Sequence, residues 1–331
     1  MRIKRFLYYM VMKVVMKLVI TGSSGFVGNF LAKHFSENGI EVVGLDVNKL
    51  DFQDYENFRF VKCDVRDSAQ VSAIFRKEKF SHVIHLAYLM SPQHDKKFEF
   101  DVDVNGSKNV FDAANSSVSV KQFIHFSSAS IYGGWKDNPL WISEEHQIRP
   151  REWVYAQNKK IVEEYIFKMR RKDLRIVNFR MCTAAGPSYF KGGGLVNTLV
   201  KAPVWIKLDG KDTFMQFIHE DDVNTIVDLV INDKKIDGVF NLAPDSYASA
   251  KKMSVNAKFC LPFPKFLFKI IFFVLWHLRL SPASPTSVDL VAHSIVISPK
   301  KLMKKYGYRF KFSTMDAFLD DYGRRKKEGR L

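Results

Sequence analysis

The sequence predicts an α/β protein in which a parallel sheet is covered by helices on both faces. From residue 17 to about residue 180, short apolar runs alternate with segments of helical periodicity, the pattern of repeated β-α-β units. The first run, Leu18 to Ile20, stops at the glycine-rich turn of KLVITGSSGFVG, where an amphipathic helix begins. A strand, a tight turn and a helix in this order predict a Rossmann-type, doubly wound sheet.

The predicted elements follow one another with short connections. Further strands are expected at 41–45, 58–62, 81–86, 123–126 and 174–179, and helices at 26–36, ending at 75, at 102–114 and at 153–169. Beyond residue 180 the pattern weakens to a strand at 215–219, a helix at 221–231 and a strand at 239–242. The glycines at 186 and 192–194 fit loops around a cleft. We expect the remaining residues to form a smaller, mostly helical C-terminal lobe.

The composition is that of a globular protein with a strongly basic charge. Hydrophobic residues make up 47% of the 331 residues, and the formal net charge is +16. We interpret the charge as solvated surface, with attraction to an anionic ligand or to a membrane surface as the alternative. No nucleic-acid-binding motif accompanies it, so no nucleic-acid partner is predicted.

Two further features concern the cell compartment. Cys63, Cys182 and Cys260 share no metal-like spacing and are expected to be free thiols in a reducing compartment, so we predict a cytoplasmic location and no metal. Residues 1–15 begin like a signal peptide, but Lys13 interrupts the apolar run and no cleavage site follows. We expect a start-site extension or a frayed segment there rather than an anchor.

The glycine-rich turn is predicted to bind a nucleotide. Gly22 can take backbone angles closed to other residues, Gly25 lets the main chain approach a ligand, and Gly28 lets helix and strand pack closely. The N–H groups and the dipole at the helix start favour a pyrophosphate.

Acidic residues after the next two strands predict how the adenosine part is held. Asp46 ends the second strand, 18 residues after Gly28. Its carboxylate can accept hydrogen bonds from both ribose hydroxyls and would repel a 2′-phosphate, which favours NAD over NADP. After the third strand, Asp64 can accept from the adenine amino group, with the Val65 backbone completing the contact.

A tyrosine, a lysine and a serine carry the predicted chemistry. Tyr155 and Lys159 have the i, i+4 spacing that places them on one face of a helix. A nearby ammonium would lower the pKa of the phenol and make it a general base for a substrate alcohol. Ser128 follows the fifth strand, at the strand end where ligands of open α/β sheets bind. We interpret it as a hydrogen-bonding partner of the substrate oxygen, since no nucleophile elbow surrounds it.

These motifs occur in order with several others. The set is TGSSGFVG, Asp46, Asp64-Val65-x-Asp67, HLAY at 85–88, SSASIYG, Tyr155-x-x-x-Lys159 and QFIHEDDV at 216–223. Together they resemble the extended short-chain dehydrogenase/reductase family, also called the NAD-dependent epimerase/dehydratase family, over residues 16–245.

The resemblance implies the cofactor, the catalytic residues and the domain boundaries. Ser128, Tyr155 and Lys159 match the catalytic triad, and Lys159 would also hold the nicotinamide ribose. The expected cofactor contacts are Gly22, Ser24, Gly25, Phe26, Val27, Gly28, Asp46, Asp64, Val65, Leu86, Ala87, Tyr155 and Lys159. We expect an NAD-binding Rossmann domain at 16–180, rejoined by 215–245, and a substrate-binding lobe at 181–214 and 246–331.

Departures from the family pattern concern the substrate. Met215 stands where nucleotide-sugar epimerases of this family carry an arginine that clamps a pyrophosphate. The family's Arg-Tyr-Phe-Asn is here Arg180-Met181-Cys182-Thr183, without the asparagine. Ser128-Ala129-Ser130 lacks the acidic pair of the family's dehydratases, so dehydration is disfavoured.

The leading functional hypothesis is NAD-dependent oxidation or reduction at a secondary alcohol, by an epimerase or dehydrogenase of a sugar or sugar-nucleotide-like substrate. The two activities share their first half-reaction, so the sequence does not separate them. The alternatives are a dehydrogenase or reductase of an apolar, sterol-like or lipid-linked alcohol, and a non-catalytic NAD-binding scaffold or sensor.

The aromatic segment FLFKIIFFVLWHL at 266–278 is shorter than the ~20 residues that span a bilayer. We expect a helix packed in the smaller lobe, with a helix in a membrane interface or a lid over an apolar substrate as alternatives. A weak membrane-surface contact through 262–280, with a peripheral location, therefore stays open, as does a homodimer.

Overall fold

The computed structural model describes residues 16–49, 54–188, 199–201 and 203–329. The extension at 1–15 and the glycines at 192–194 lie outside the described residues. The strands are β1 Lys17–Thr21, β2 Glu41–Asp46, β3 Phe58–Lys62, β4 His82–His85, β5 Gln122–Ser128, β6 Arg175–Met181, β7 Thr183–Ala185, β8 Val204–Leu208, β9 Phe214–Met215, β10 Phe217–His219, β11 Gly238–Leu242, β12 Ala248–Ser249 and β13 Phe259–Phe263.

The α-helices alternate with these strands in the first two-thirds of the chain and then predominate. They are α1 Phe26–Glu37, α2 Ser68–Glu78, α3 Lys96–Phe100, α4 Ser107–Ser116, α5 Val154–Met169, α6 Glu220–Asn232, α7 Ala250–Met253, α8 Lys265–His277, α9 Ser287–Val291, α10 Lys300–Tyr306 and α11 Thr314–Lys327. A π-helix, Asp101–Gly106, joins α3 to α4, and a 3₁₀ helix, Ala129–Tyr132, follows β5.

Seven of the described strands form one parallel sheet in the order β11-β6-β5-β4-β1-β2-β3. The chain runs outward from β1 to β3 and then crosses to β4 on the other side of β1, which creates a topological switch point. Thr21 pairs with His85, and His85 pairs with His125. The carboxyl ends of β1, β4 and β5 therefore lie side by side, and the predicted doubly wound α/β fold is confirmed.

Helices cover both faces because alternate strand residues are apolar on both sides. Leu18 and Ile20 of β1 point into one core layer, together with Phe30 of α1. Val19, between them, points into the other layer and joins Val110 of α4. This near-continuous apolar run is what a parallel strand buried on both faces requires.

Two predicted elements are divided in the structure. The helix expected at 102–114 is the π-helix followed by α4. The strand expected at 215–219 is two strands, because β9 pairs antiparallel with β12 whereas β10 pairs parallel with β7. Between them, the Gln216 amide binds loops on both sides: its Nε2 donates to Pro244 O at 3.0 Å and its Oε1 accepts from Ile297 N at 2.8 Å.

The C-terminal region is rich in helices, as expected, but it also contains short strand pairs. β13 pairs with β8, and β12 with β9, and the composition of these short segments predicted neither pair. No helix among the described residues is long and apolar enough to cross a membrane.

Candidate active site

The glycine-rich turn lies where β1 ends, next to the end of β4. Gly22 has a φ of +71°, and a Cβ there would lie 2.7 Å from the Ala87 nitrogen and 2.8 Å from the Leu86 carbonyl carbon. A Cβ at Gly28 would overlap the Gly22 carbonyl oxygen. The fold itself therefore requires glycine at both positions.

Gly25, in the same turn, has no such requirement. It precedes α1 with a φ of −73° and a ψ of 166°, and a Cβ there would meet only the Gly22 oxygen, at 3.3 Å. Gly25 itself has no side chain with which to cap this helix start. Phe26 and Val27, which follow, pack half-buried against the core. A helix start behind a glycine that packing does not demand fits the predicted pyrophosphate site.

Ser24 ties the turn to the end of β2. Its N–H donates to Asp46 Oδ2 at 3.0 Å, and its hydroxyl donates to the Asn48 carbonyl. Asp46 Oδ1 accepts from the Val47 N–H at 2.8 Å. Burial raises the pKa of Asp46, and these N–H groups oppose the rise. Each carboxylate oxygen keeps acceptor capacity, so Asp46 fits its predicted contact with the ribose hydroxyls.

The two residues predicted to contact adenine have other partners in this structure. Arg66 donates two hydrogen bonds of 3.0 Å and 2.6 Å to Asp64 Oδ2, and its guanidinium lowers the pKa of that carboxyl. Val65 is buried, and its carbonyl accepts from Asn109 Nδ2 at 3.0 Å. An adenine contact at Asp64 would share the carboxylate with Arg66, and it stays a prediction.

The predicted catalytic residues meet at the carboxyl end of β5. Ser128 is the last residue of that strand, and Tyr155 lies in the first turn of α5. The Ser128 hydroxyl is a neighbour of the Tyr155 phenol and lowers its pKa, against the larger rise that burial causes. Ser128 Oγ also accepts from Ser130 Oγ at 2.9 Å. The Tyr155 ring packs on Trp153, with centroids 4.7 Å apart, and this contact orients the phenol.

Lys159 lies one helical turn beyond Tyr155 and is almost fully buried. Its Nζ donates to the Phe126 carbonyl at 2.6 Å. The same atom lies 3.3 Å from the ring centroid of Tyr88 and 5.6 Å from that of Tyr155. The structure thus brings Ser128, Tyr155 and Lys159 together.

The electrostatics of this cluster are dominated by burial. Burial and the Asp103 carboxylate raise the pKa of Tyr155, and the hydrogen bond with Ser128 opposes the rise. Burial lowers the pKa of Lys159, and the Asp103 and Glu163 carboxylates oppose that fall. The pKa of Tyr155 thus shifts opposite to the sequence-based expectation, because burial removes the hydration that a phenolate needs and the Asp103 carboxylate disfavours it further.

Sequence reasoning assigned no role to two neighbours of this cluster. The Tyr88 ring lies beneath the Lys159 ammonium, and its place in HLAY was the available signal. Asp103 is fully buried in the π-helix, where its carboxylate accepts from Leu89 N at 2.9 Å and from Asn158 Nδ2 at 3.1 Å. Nothing in the local sequence indicated Asp103, because only the packing of α5 brings it to the site.

The residues at the family's substrate-related positions, whether they match the family pattern or depart from it, have structural partners. Arg180 is buried, and its guanidinium donates to Glu163 Oε1 at 2.9 Å and to the Tyr132 hydroxyl at 2.9 Å. Met215 is half-buried against the core of the small lobe, and Thr183 pairs with a residue of β10. Neither Met215 nor Thr183 supplies a cation for a phosphate.

A small cleft opens beside α5, between the segment after β5 and the region around α9. Its lining residues are Ser130, Gly133, Gly134, Arg151, Trp153, Ala156, Thr286 and Leu290. Arg151 brings a positive charge to this cleft. Its Nε donates to Gly134 O at 2.8 Å, and its guanidinium lies 3.7 Å from the Trp135 ring centroid.

A parallel sheet with a glycine-rich turn at its switch point and a buried Ser-Tyr-Lys cluster defines a class of nucleotide-binding oxidoreductases. The sequence model of the NAD-dependent epimerase/dehydratase family matches residues 18–243. The chain belongs to this family. The predicted family, the NAD cofactor and the prediction of an enzyme are thereby confirmed.

Relatives span nearly the whole chain. An uncharacterised Mycobacterium tuberculosis protein, Rv0501, is 22% identical over 93% of this chain and 83% of its own length. UDP-glucose 4-epimerase of Mycolicibacterium smegmatis is 29% identical over 63% of this chain and 71% of that enzyme. The Bordetella bronchiseptica enzyme WbmG, solved with NAD and UDP, covers 96% of each chain at 22% identity, with a TM-score of 0.73. At 22% identity this similarity supports the fold of the present chain and nothing beyond the fold.

Proposed function

We propose that this protein oxidises a secondary alcohol of a sugar or sugar-nucleotide-like substrate, as an epimerase or a dehydrogenase, with Ser128, Tyr155 and Lys159 as its catalytic residues. The observation that carries the proposal is the meeting of these three side chains at the end of β5. This strand end lies beside the β1 and β4 ends that frame the glycine-rich turn.

Each of the three residues has a distinct part in the proposed step. Tyr155 Oη, in its deprotonated phenolate form, takes the proton of the substrate hydroxyl and becomes a phenol, and Ser128 Oγ holds the substrate oxygen beside it. NAD, when bound, supplies the acceptor for the hydride that leaves the carbinol carbon. A buried phenolate needs a positive charge nearby, and Lys159 supplies it from the same helix face.

The residues around the glycine-rich turn are proposed to hold the cofactor. Asp46 would accept from the adenosine ribose, and the main chain at Gly25 would approach the pyrophosphate. The negative charge of Asp46 supports NAD rather than NADP.

A sugar-nucleotide-like substrate is supported by relatives that act on such molecules, such as the M. smegmatis UDP-glucose 4-epimerase. Met215 supplies no cation where an arginine of the family would bind a pyrophosphate. Arg151 is a cation lining the cleft beside α5, and we propose that it meets an anionic or hydroxyl-rich part of the substrate. Its planar guanidinium suits a phosphate or a carboxylate.

An apolar or lipid-linked alcohol is the second candidate substrate. Its support is the outward-facing apolar surface of α8, whose Trp276 stacks on His94 in the segment after β4, with ring centroids 3.8 Å apart. That segment leads from the end of β4 through α3 to the π-helix that carries Asp103.

The nucleotide that co-purifies with the protein separates epimerase from dehydrogenase. We expect NAD to be released on denaturation and identified by its absorbance and mass. Tightly retained NAD, stoichiometric with protein, favours an epimerase, because its cofactor is regenerated in each turnover. An empty site that exchanges NAD with solution favours a dehydrogenase. Failure to bind NAD at all would contradict the proposal.

Replacing the catalytic tyrosine tests the mechanism. Tyr155→Phe removes the proton acceptor but keeps the ring that packs on Trp153, so turnover should fall at least 100-fold with NAD affinity largely kept. Tyr165→Phe is the matched control, since Tyr165 lies on the same helix with its hydroxyl bonded to Asp112. Full activity of Tyr155→Phe would remove Tyr155 from the mechanism.

A further inference from the structure

We propose that the outer surface of α8 and its flanking segments docks on an anionic lipid bilayer. This surface, the apolar face, consists of exposed large apolar side chains. They are Phe259, Leu261, Phe266, Leu267, Ile270, Ile271, Phe273, Val274, Leu278 and Leu280. Large contiguous apolar patches on a protein surface mark interaction sites.

The orientation of α8 is inverted relative to an ordinary surface helix, which turns its charged side chains to water. Both lysines of α8 point toward the body of the protein. Lys269 Nζ lies 2.5 Å and Lys265 Nζ 3.5 Å from carboxylate oxygens of the buried Asp289. Ile270 and Val274, on the outward side, are 55% and 48% exposed, and Phe273, on the flank between the two sides, is 55% exposed.

Inward contacts fix this orientation. Phe268 and Phe272 pack against the cluster formed by Leu208, Val288 and Ala292, and Trp276 is buried. The helix cannot rotate its apolar face inward without losing these contacts and leaving the Asp289 carboxylate buried without its cations.

The charge around the apolar face identifies its occupant. Residues 246–288 contain six lysines and arginines and no aspartate or glutamate. Lys258 and Arg279, which lie just outside the two ends of the strand-helix segment, are exposed. A cationic rim around an apolar surface complements an anionic membrane, where lysine and arginine strengthen binding.

The same positive charge argues against a second copy of this chain as the partner that covers the apolar face. A two-fold contact through this face would set the cationic rim of one copy against that of the other. A bilayer surface has no such conflict. A 13-residue helix is about 20 Å long, too short to span the hydrocarbon core of ~30 Å, so α8 would lie flat in the interface.

Docking would hold the catalytic site close to the lipid headgroups. Lys269 is 3.7 Å from Glu152, which lies three residues before Tyr155. The backbone carbonyl of Asp289, whose side chain pairs with both lysines of α8, lies next to Gly134. A Cβ added at Gly134 would lie 2.6 Å from the Asp289 carbonyl oxygen. The inward side of α8 thus contacts the segment that leads into α5, and its partner Asp289 contacts Gly134, which lines the cleft beside α5.

Vesicle co-sedimentation of the purified full-length chain tests the docking. We expect the protein to pellet with vesicles of phosphatidylcholine and phosphatidylglycerol at low salt, much less with phosphatidylcholine alone, and less at high salt. Ile270→Glu/Phe273→Glu should weaken binding to the anionic vesicles at least tenfold. Val118→Glu is the matched control, because Val118 is 79% exposed outside the apolar face and its substitution should change nothing.

A second variant tests the docking even if the glutamate substitutions disturb folding. Lys258→Gln/Arg279→Gln keeps every apolar side chain, and it should reduce the preference for anionic vesicles several-fold while NAD binding is unchanged. Absence of vesicle binding by the wild-type chain would overturn the proposal. So would equal binding to both vesicle types, or a wild-type dimer that Ile270→Glu/Phe273→Glu converts to a monomer in light scattering.

Discussion

Replacing Gly25 by alanine is expected to weaken NAD binding at least tenfold while the fold stays nearly as stable. The backbone at Gly25 has a φ of −73° and a ψ of 166°, which alanine adopts without strain. The added Cβ meets only the Gly22 oxygen, at 3.3 Å, so that atom must move by a few tenths of an ångström.

The effects on stability largely offset each other. Alanine is a poorer N-cap residue than glycine, at a cost of up to about 1 kcal/mol. It also restricts the unfolded chain, which stabilises the folded state by about 0.4–1 kcal/mol. The net change should lie within about 1 kcal/mol. The loss of NAD affinity, by contrast, should reach about 1.4 kcal/mol or more, because the methyl group occupies the space through which the pyrophosphate approaches the main chain.

Calorimetric titration with NAD and urea unfolding measure the two quantities separately. Gly323→Ala, at a half-buried position of α11 where an added Cβ would have nothing within 4 Å, is the control and should leave NAD affinity unchanged. Gly28→Ala should lower both affinity and stability, since its Cβ would overlap the Gly22 oxygen. If Gly25→Ala binds NAD within twofold of wild type, the pyrophosphate does not approach this part of the turn.

Three further predictions each rest on one charged or titratable side chain. Asp46→Asn keeps an acceptor but removes the charge that repels a 2′-phosphate, so the NAD/NADP preference in binding should fall about tenfold; an unchanged ratio would refute this role. Arg180→Met leaves the Glu163 carboxylate buried without its cation, so urea unfolding should show a loss of about 3–5 kcal/mol, and a loss below 1 kcal/mol would contradict it. Burial and the charge of Arg175 lower the pKa of His82 from 6.5 to about 4. Between pH 6.5 and 4 the unfolded chain therefore binds more protons at this residue than the folded chain does. The free energy of unfolding should thus fall as the pH drops from about 6.5 toward 4. His82→Asn should flatten that fall, and an unchanged pH profile would show that His82 is not its source.

Local sequence patterns were sufficient to predict those features in which the interacting residues are close together along the chain. The apolar run of β1, the glycine turn and α1 are contiguous, and each step constrains the next. The same holds for Tyr155 and Lys159, since i, i+4 spacing alone places two side chains on one helix face. The rule that ligands bind at the carboxyl ends of parallel strands then brought Ser128 to them.

Contacts between distant segments lay beyond such reasoning. Asp103 reaches the cluster of Ser128, Tyr155 and Lys159 because the π-helix packs on α5, and together with burial it raises the pKa of Tyr155. The i, i+4 pattern predicted that Lys159 lies near the Tyr155 phenol. The effect of burial on the pKa of Tyr155, relative to the effect of nearby charges, depends on how much water the complete fold excludes.

The aromatic segment at 266–278 also shows which features the sequence determines and which features only the tertiary structure determines. Its sequence by itself determined a helix too short to cross a membrane, with two lysines within or beside an apolar run. Only the tertiary structure decided that Asp289 turns Lys265 and Lys269 inward, so that the apolar side faces outward. The reason is physical: a helix places side chains around its axis by a local rule, but which side meets the protein is set by partners remote in the chain.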